Sequence, residues 1–288
     1  VINGVVDGSF GPIHQFCEQN TLPCLFPTTM LPTLDESDFY TIYFNRGYIF
    51  EGETLAAYLN QQPAGKTIIH LTDAANAPAY HAAYGFRANL KNKNYKRMDM
   101  ECGESDLPES TLSEIGRYQS IVLHMDRGCS DRLLKAIANS TSKSDIYLST
   151  RLYGVDFANI PDALRERTRF VHTHELPGRI NRLLARSTGW FKHKRILDPD
   201  QMEVQANAYL ALKIAGDAAK HIRGYYFRDY FIEKIEHNID DLTYTSIYPR
   251  LSLAPGQRFS SRGYYIAKID QERNLSLIHI SEPTRPLH

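Results

Sequence analysis

The sequence predicts an α/β fold in which parallel sheets are covered by helices on both faces. Three observations predict it. Short apolar or β-branched runs alternate with segments of helical spacing from residue 5 to residue 172. Turn-forming stretches, among them 7–12, 27–29 and 61–65, punctuate that alternation. Helix-length connections between successive strands are what parallel pairing requires, and a parallel sheet needs cover on both sides.

Taken in order, Val5 and Val6 form a first strand. The polar turn 7–12 leads into a helix over 13–20, with Pro12 at or near its first turn, where a missing N–H carries no penalty. A strand over 22–26 opens into a second polar turn, Pro27-Thr28-Thr29. Two strand ends that each open into a small polar loop are how open α/β sheets build a ligand crevice. The helix after Ser9 aims free N–H groups and the positive end of its dipole at the same place. Residues 39–44 read as a strand, and 48–60 as a helix from the spacing of Leu55, Ala56 and Leu59. A second series then sets strands at 67–71, 95–100, 120–125, 145–149 and 168–172, with helices at 77–90, 112–117, 130–139 and 161–167. The rhythm changes after Pro177. Long helical stretches occupy 201–221 and 225–237, the latter with Phe227, Tyr230, Phe231 and Ile235 at core spacing. Residues 248–269 alternate and turn at Pro255-Gly256 and Arg262-Gly263, in the manner of a closing β-ribbon.

Composition narrows the function. With 42% hydrophobic residues and a mean hydropathy of -0.40, the chain reads as an ordinary soluble protein. Its 288 residues suffice for a large core and two domains. Lys plus Arg equals Asp plus Glu at 33 each, which argues against a general nucleic-acid or anionic-membrane binder. No apolar run approaches membrane-spanning length. Cys17, Cys24, Cys102 and Cys129 lack CxxC spacing; they read as buried thiols or as holding one disulfide in an oxidising compartment, with the pairing open. The chain starts at Val1, directly in a strand, and so reads as an N-terminally truncated fragment in which the lack of a signal peptide carries no information. Residues 275–285 match the in-frame translation of a transposase adapter used in sequencing libraries. Residues 275–288 are therefore expected to be a non-native tail and are set aside from the fold.

The run Asp7-Gly8-Ser9-Phe10-Gly11-Pro12, then 22–29, then 43–47 with 51–59, then 67–71, and finally 248–266 resemble, in order and spacing, successive pieces of the type I periplasmic binding proteins, the receptors of branched-chain amino-acid-type ABC transporters. The resemblance spans nearly all of 2–270. It implies two Rossmann-like lobes lacking the opening βαβ unit: lobe 1 over 1–63, lobe 2 over 64–177, return helices and hinge over 178–245, and a closing ribbon over 246–274. Crossovers are implied near 62–66, 176–179 and 242–248. It further implies a receptor, periplasmic or extracellular, that shuts its lobes on an amino acid or other small polar solute and delivers it to the membrane subunits of an ABC transporter. No nucleic-acid partner, cofactor, metal or catalysis is implied. One departure keeps the ligand class open. Amino-acid receptors usually show several hydroxyl residues in the first loop, and here Ser9 stands alone between Gly8 and Phe10.

Ligand contacts are expected from Gly8, Ser9 and Phe10, from Thr28 and Thr29, and from Tyr80, Asp126, Arg127, Arg151 and Tyr153. Each has a plainer reading. Ser9 serves equally as a helix N-cap, Thr28 and Thr29 as an ordinary turn, and Phe10 and Tyr80 as core. Asp126 and Arg127 follow one strand and Arg151 follows the next, where a guanidinium holds a carboxylate bidentately or is simply paired within the protein. His172 and His174 fall on one face of a strand with Glu175 on the other, which leaves zinc a ligand short. Gly65-Lys66-Thr67 imitates a phosphate loop but leads into a strand, and Asn60 stands where its first glycine belongs. There is no GxSxG, GxGxxG or HExxH, and Asp240-Asp241 reads as a solvated turn. Two rival functions use the same crevice: the ligand-sensing domain of a receptor or regulator, and an α/β enzyme.

Overall fold

A computed structural model describes all residues except 7, 34, 36, 64, 93, 103–108, 242–243, 255 and 282–288. In chain order the elements are α1 (Gly11–Gln19), β1 (Cys24–Leu25), β2 (Thr41–Ile42), α2 (Gly47–Asn60), β3 (Ile68–Thr72), α3 (Ala77–Asn89), β4 (Tyr95–Asp99), α4 (Glu109–Ile115), β5 (Ser120–His124), α5 (Arg127–Ala138), β6 (Asp145–Ser149), α6 (Thr150–Tyr153), α7 (Asp162–Arg165), β7 (Thr168–His172), α8 (Pro177–His193), α9 (Met202–Lys220), α10 (Arg228–Asp241), β8 (Tyr264–Ile269) and β9 (Leu275–Ser281). The described chain divides into two compact units. Unit 1 comprises Val1–Gly47 and His174–Gly263, and unit 2 comprises Tyr48–Thr173 and Tyr264–Ser281.

Unit 2 holds a seven-stranded sheet in the order β4-β3-β5-β6-β7-β8-β9. The first five strands are parallel, and β8 and β9 add antiparallel. Every residue of β3 and β5 is buried, so these central strands read as continuous runs without polar alternation. Alternation along the strands divides the core in two. Ile69, Leu71, Leu123, Leu133 and Phe170 gather in one cluster, and Leu55, Phe86, Val122 and Val171 in the other. Local chemistry starts the helices. Asn76 accepts from the Ala79 N–H ahead of α3, and Asp126 accepts from the Cys129 N–H ahead of α5. A disulfide between Cys102 and Cys129 ties the chain beyond β4 to α5. Helices α2 and α3 meet at backbone contact: a Cβ on Gly52 would stand 1.9 Å from the Ala82 carbonyl oxygen, and one on Gly85 2.2 Å from that of Ile49.

Unit 1 is built on a small parallel layer. β1 pairs with β2. The N-terminal residues run beside it through the isolated bridges Ile2–Cys24, Val5–Thr28 and Ser9–Leu31, so the first predicted strand is a ladder broken by the turn around Gly8. α1 covers one face with Phe10, Cys17, Cys24 and Tyr43 in a single cluster. On the other face Leu184, Leu210, Ile214, Phe231, Ile235 and Ile239 from α8, α9 and α10 pack against Leu25, Phe26, Ile42 and Phe44.

Several expectations differ from the structure. α2 belongs to unit 2 from Tyr48 onward and not to the first lobe, because Leu55 and Leu59 bury with Ile68 and Val122 and Gly52 seats the helix on α3. The late ribbon is divided: Leu251 bridges Ser261 within unit 1, whereas β8 joins the sheet of unit 2. Residues 275–281, set aside as a tail, form β9, because β8 offers an open edge and this apolar run carries no proline to refuse it. α8 has no counterpart in the sequence reading, although Ile180, Leu184, Ser187 and Phe191 recur along it at the three- and four-residue spacing of an amphipathic helix. Phe227 is 66% exposed and precedes α10, since the chain turns at Gly224 with φ +91°. Asp240 and Asp241 close α10 instead of forming a turn.

Candidate functional site

Past the carboxyl ends of β6 and β7 the sequence Ser149-Thr150-Arg151 and the residue Thr173 meet α2. Ser149 caps α6, its hydroxyl oxygen accepting from the Arg151 and Leu152 N–H groups at 3.1 and 3.2 Å. The same hydroxyl donates to Glu51, and the Thr173 hydroxyl donates to the other Glu51 oxygen at 3.3 Å. Glu51 is 1% exposed. Burial drives its carboxyl pKa up to about 7, against the downward pull of Ser149, Arg151 and Thr173. Beside this group Thr150 Oγ1 lies 2.8 Å from His172 Nδ1. Glu51 is thus a buried carboxyl of raised pKa whose two oxygens are held by the Ser149 and Thr173 hydroxyls.

A second polar centre lies where β3 is flanked by β4 and β5, the point at which strand order reverses. His70 Nδ1 is 2.9 Å from the Tyr95 hydroxyl, and its Nε2 is 2.9 Å from His124 Nδ1 and 3.0 Å from Thr72 Oγ1. Both histidines are buried. Burial lowers both pKa values, His124 to about 3 and His70 well below its ordinary value, with nearby Arg87 adding to each shift. They are neutral hydrogen-bonding partners that let two polar side chains sit inside a sheet.

The predicted contacts in unit 1 cluster on one loop. Gly8 takes φ +116°, a backbone that favours glycine, and Thr29 Oγ1 donates to its carbonyl at 3.1 Å while accepting from the Leu31 N–H at 3.1 Å. Ser9 is exposed, its hydroxyl 3.2 Å from the Gly11 N–H; the N-cap itself is Phe10. Thr28 is half-buried and bridges Val5 through its backbone. Phe10 leaves the ligand set: it is fully buried edge-to-face against Tyr43, with no surface to stack on a solute.

In unit 2, Asp126, Arg127 and Tyr153 come together, but mostly on one another's account. Asp126 is exposed and caps α5. Arg127 pairs with Asp156 at 2.9 Å and Asp131 at 3.8 Å and lies over the Tyr153 ring at 5.5 Å. Its fork is therefore filled by the protein's own carboxylates. Tyr153 is 1% exposed and donates to Asp131 at 2.6 Å, so it too is a core residue and not a ligand contact. Arg151 acts electrostatically on Glu51. Tyr80, 44% exposed on the first turn of α3, has the Arg87 guanidinium 5.9 Å from its ring.

The paired histidines part company: β7 ends at His172 in unit 2, and His174 belongs to unit 1, 3.7 Å from Glu203. Among the described residues, His14, Glu18 and Asp38 stand close enough to hold a metal ion. Each already serves the fold. His14 bonds Tyr43 and Asp38 at 3.0 Å, and Glu18 accepts from the Phe39, Tyr40 and Thr41 N–H groups. Sequence reasoning missed Glu51, Ser149, Thr150 and Thr173 and the pair His70–His124, and weighed His172 only as a metal ligand. One signal was present: Glu51, Leu55 and Leu59 share a helix face at four-residue spacing, which sets a carboxylate in an apolar stripe.

No family model and no curated protein matches the chain. Solved structures do match in fold. A putative branched-chain amino acid ABC transporter protein from Rhodospirillum rubrum superposes with TM-score 0.68 at 16% identity, over 91% of this chain and 74% of that one. A leucine binding protein from Thermotoga maritima gives 0.65 at 13%, over 97% and 79%. A fatty acid ABC transporter substrate-binding protein from Thermomonospora curvata gives 0.61 at 14%, over 97% and 74%. The chain thus has the fold of the type I periplasmic binding proteins, an α/β architecture with a mostly parallel sheet covered by helices. A further structure of this fold, at 13% identity, is a branched-chain amino acid transporter substrate binding protein from Streptococcus pneumoniae in complex with isoleucine.

Proposed function

We propose that this chain is an extracytoplasmic receptor that captures a small polar solute and delivers it to the membrane subunits of an ABC transporter. One observation carries the reading: more than nine-tenths of the chain follows the fold of proteins named for that task. Two rims supply the polar groups. Ser9, Thr28 and Thr29 with Gly8 form the rim of unit 1. Arg151, with Tyr80 and Asp126 exposed on the same unit, forms that of unit 2. A ligand bound by both rims favours the closed form by its differential affinity, and no chemistry is needed. The cargo is left to experiment, because neighbours of one fold are named for leucine in one case and fatty acid in another.

The test is a thermal-shift screen of amino acids, carboxylates, amides and small aromatic solutes. A cognate ligand raises Tm progressively, by an amount equivalent to about 2.7 kcal/mol at a hundredfold excess over Kd. Arg151→Ala is expected to remove the shift given by an acid, and Arg127→Ala, whose guanidinium is already paired, to leave it. Turnover of a bound solute, or a shift untouched by Arg151→Ala, overturns this assignment.

A further inference from the structure

Unit 1 contains two cysteines that no site above uses. Cys17 lies in the last turns of α1 and Cys24 opens β1. Both are fully buried in the cluster formed with Phe10 and Tyr43. Both are free thiols in the structure, they share this one buried cluster, and each perturbs the other's titration, which places the two side chains near one another at the helix–strand junction. The backbone between them is fixed. Leu22 donates to the Cys17 carbonyl at 2.8 Å, Asn20 to that of Phe16 at 3.1 Å, and Thr21 turns the chain back with φ +50°. In unit 2, Cys102 and Cys129 are already joined. A chain that keeps such a bridge folds where thiols are oxidised.

We propose that Cys17 and Cys24 form a second disulfide, within unit 1, when the protein folds in its oxidising compartment. Two S–H bonds break and one S–S bond forms. The S–S bond of a thiol–disulfide oxidant, such as glutathione disulfide, breaks, and the two electrons and two protons from the cysteines end on its two thiols. Burial fixes the timing. The attacking species is a thiolate, and desolvation raises the pKa of both thiols in the folded unit. The bond closes while the segment is still open to solvent and is then sealed beneath Phe10 and Tyr43. It fastens the end of α1 to the start of β1, elements that follow Ser9 and precede Thr28–Thr29 along the chain. The inference rests on unit 1 alone and stands whether or not the chain binds a solute.

The full chain, unfolded and reduced, is refolded in a glutathione and glutathione-disulfide buffer. Remaining thiols are blocked with iodoacetamide in denaturant, and the protein is cut with trypsin without reduction. Arg46 is the first basic residue, so Cys17 and Cys24 share the peptide 1–46. Expected is that this peptide is two hydrogens lighter than its reduced form and takes up no label. The peptides carrying Cys102 and Cys129, linked to each other, show that oxidation sufficed. Two labels on peptide 1–46 beside a linked Cys102–Cys129 pair overturn the proposal. So does a cross-link from Cys17 or Cys24 to either of the other cysteines. In Cys17→Ser one label on Cys24 is expected; a cross-linked Cys24 in that variant counts against the pairing.

Discussion

At the scale of single residues, the structure separates side chains that share a chemistry. Glycine is required at 52 and 85 because a Cβ would enter the backbone of the facing helix, whereas Gly216 in α9 has nothing within 4 Å. Gly52→Ala is expected to destabilise unit 2 by several kcal/mol, since backbone on both sides leaves little room to yield. Gly216→Ala is expected to stabilise its helix by up to about 1 kcal/mol. Urea unfolding of both variants checks the pair, and equal effects would refute the close approach of α2 and α3. Glu51 makes a prediction in pH. Its folded pKa, raised to about 7, lies above the unfolded value near 4.5, so the folded state holds its proton more tightly. The resulting stability is present below about 4.5 and is lost as pH rises through about 7. Glu51→Gln removes the titrating group, so the difference in Tm between variant and wild type should move in favour of the variant between pH 5 and 8. A difference constant with pH would show that Glu51 is ionised throughout. Glu18 is the opposite case. Burial raises its pKa, but three backbone N–H groups outweigh burial and leave it low, which explains why this carboxylate fastens β2 and not a ligand.

At the scale of elements, β3 and β5 were legible as strands and their polar contents were not. Apolar runs of this length announce buried parallel strands, yet His70, Thr72 and His124 sit inside them because His70 meets Tyr95 on β4, His124 on β5 and Thr72 on its own strand. Both histidines have folded pKa values below the unfolded value near 6.5. Between those values the unfolded chain binds more protons, so stability falls as pH drops below about 6.5, by up to about 1.4 kcal/mol per pH unit for each histidine. Denaturant midpoints measured from pH 7 down to pH 4.5 test this, and a flat profile contradicts it. β9 gives a second prediction. It covers the free edge of β8 while leaving Ile278 and Ile280 half-exposed, 42% and 52%. Removing 275–288 should lower the stability of unit 2 and promote association through the uncovered edge. Unchanged melting and an unchanged elution volume would mark 275–281 as a passive tail. α8 went unread although its sequence is amphipathic, with Ile180, Leu184 and Phe191 on one face among charged residues.

At the scale of the whole molecule, the described residues form two units with separate cores, and Trp190, the single tryptophan, lies in α8 of unit 1. Gly52→Ala and the removal of 275–288 should therefore shift the unfolding followed by far-UV circular dichroism while leaving the transition reported by Trp190 fluorescence in place. Coincident shifts in both signals would mean that the units unfold as one. The alternation of strands and helices, the turn at Gly8 and the loop at Thr28–Thr29 were readable from sequence, because periodicity and turn chemistry are local properties of the chain. The sequence by itself determined the fold class, the order of most elements and the strand ends where polar residues collect. Only the tertiary structure decided that α2 joins the second unit and that Phe10 and Tyr153 are core. It also decided that Arg127 is already paired, that Glu51 is buried among hydroxyls, and that Cys17 lies near Cys24. These depend on which distant segments meet, and burial and pairing are set by the partner across the gap and not by the neighbour along the chain.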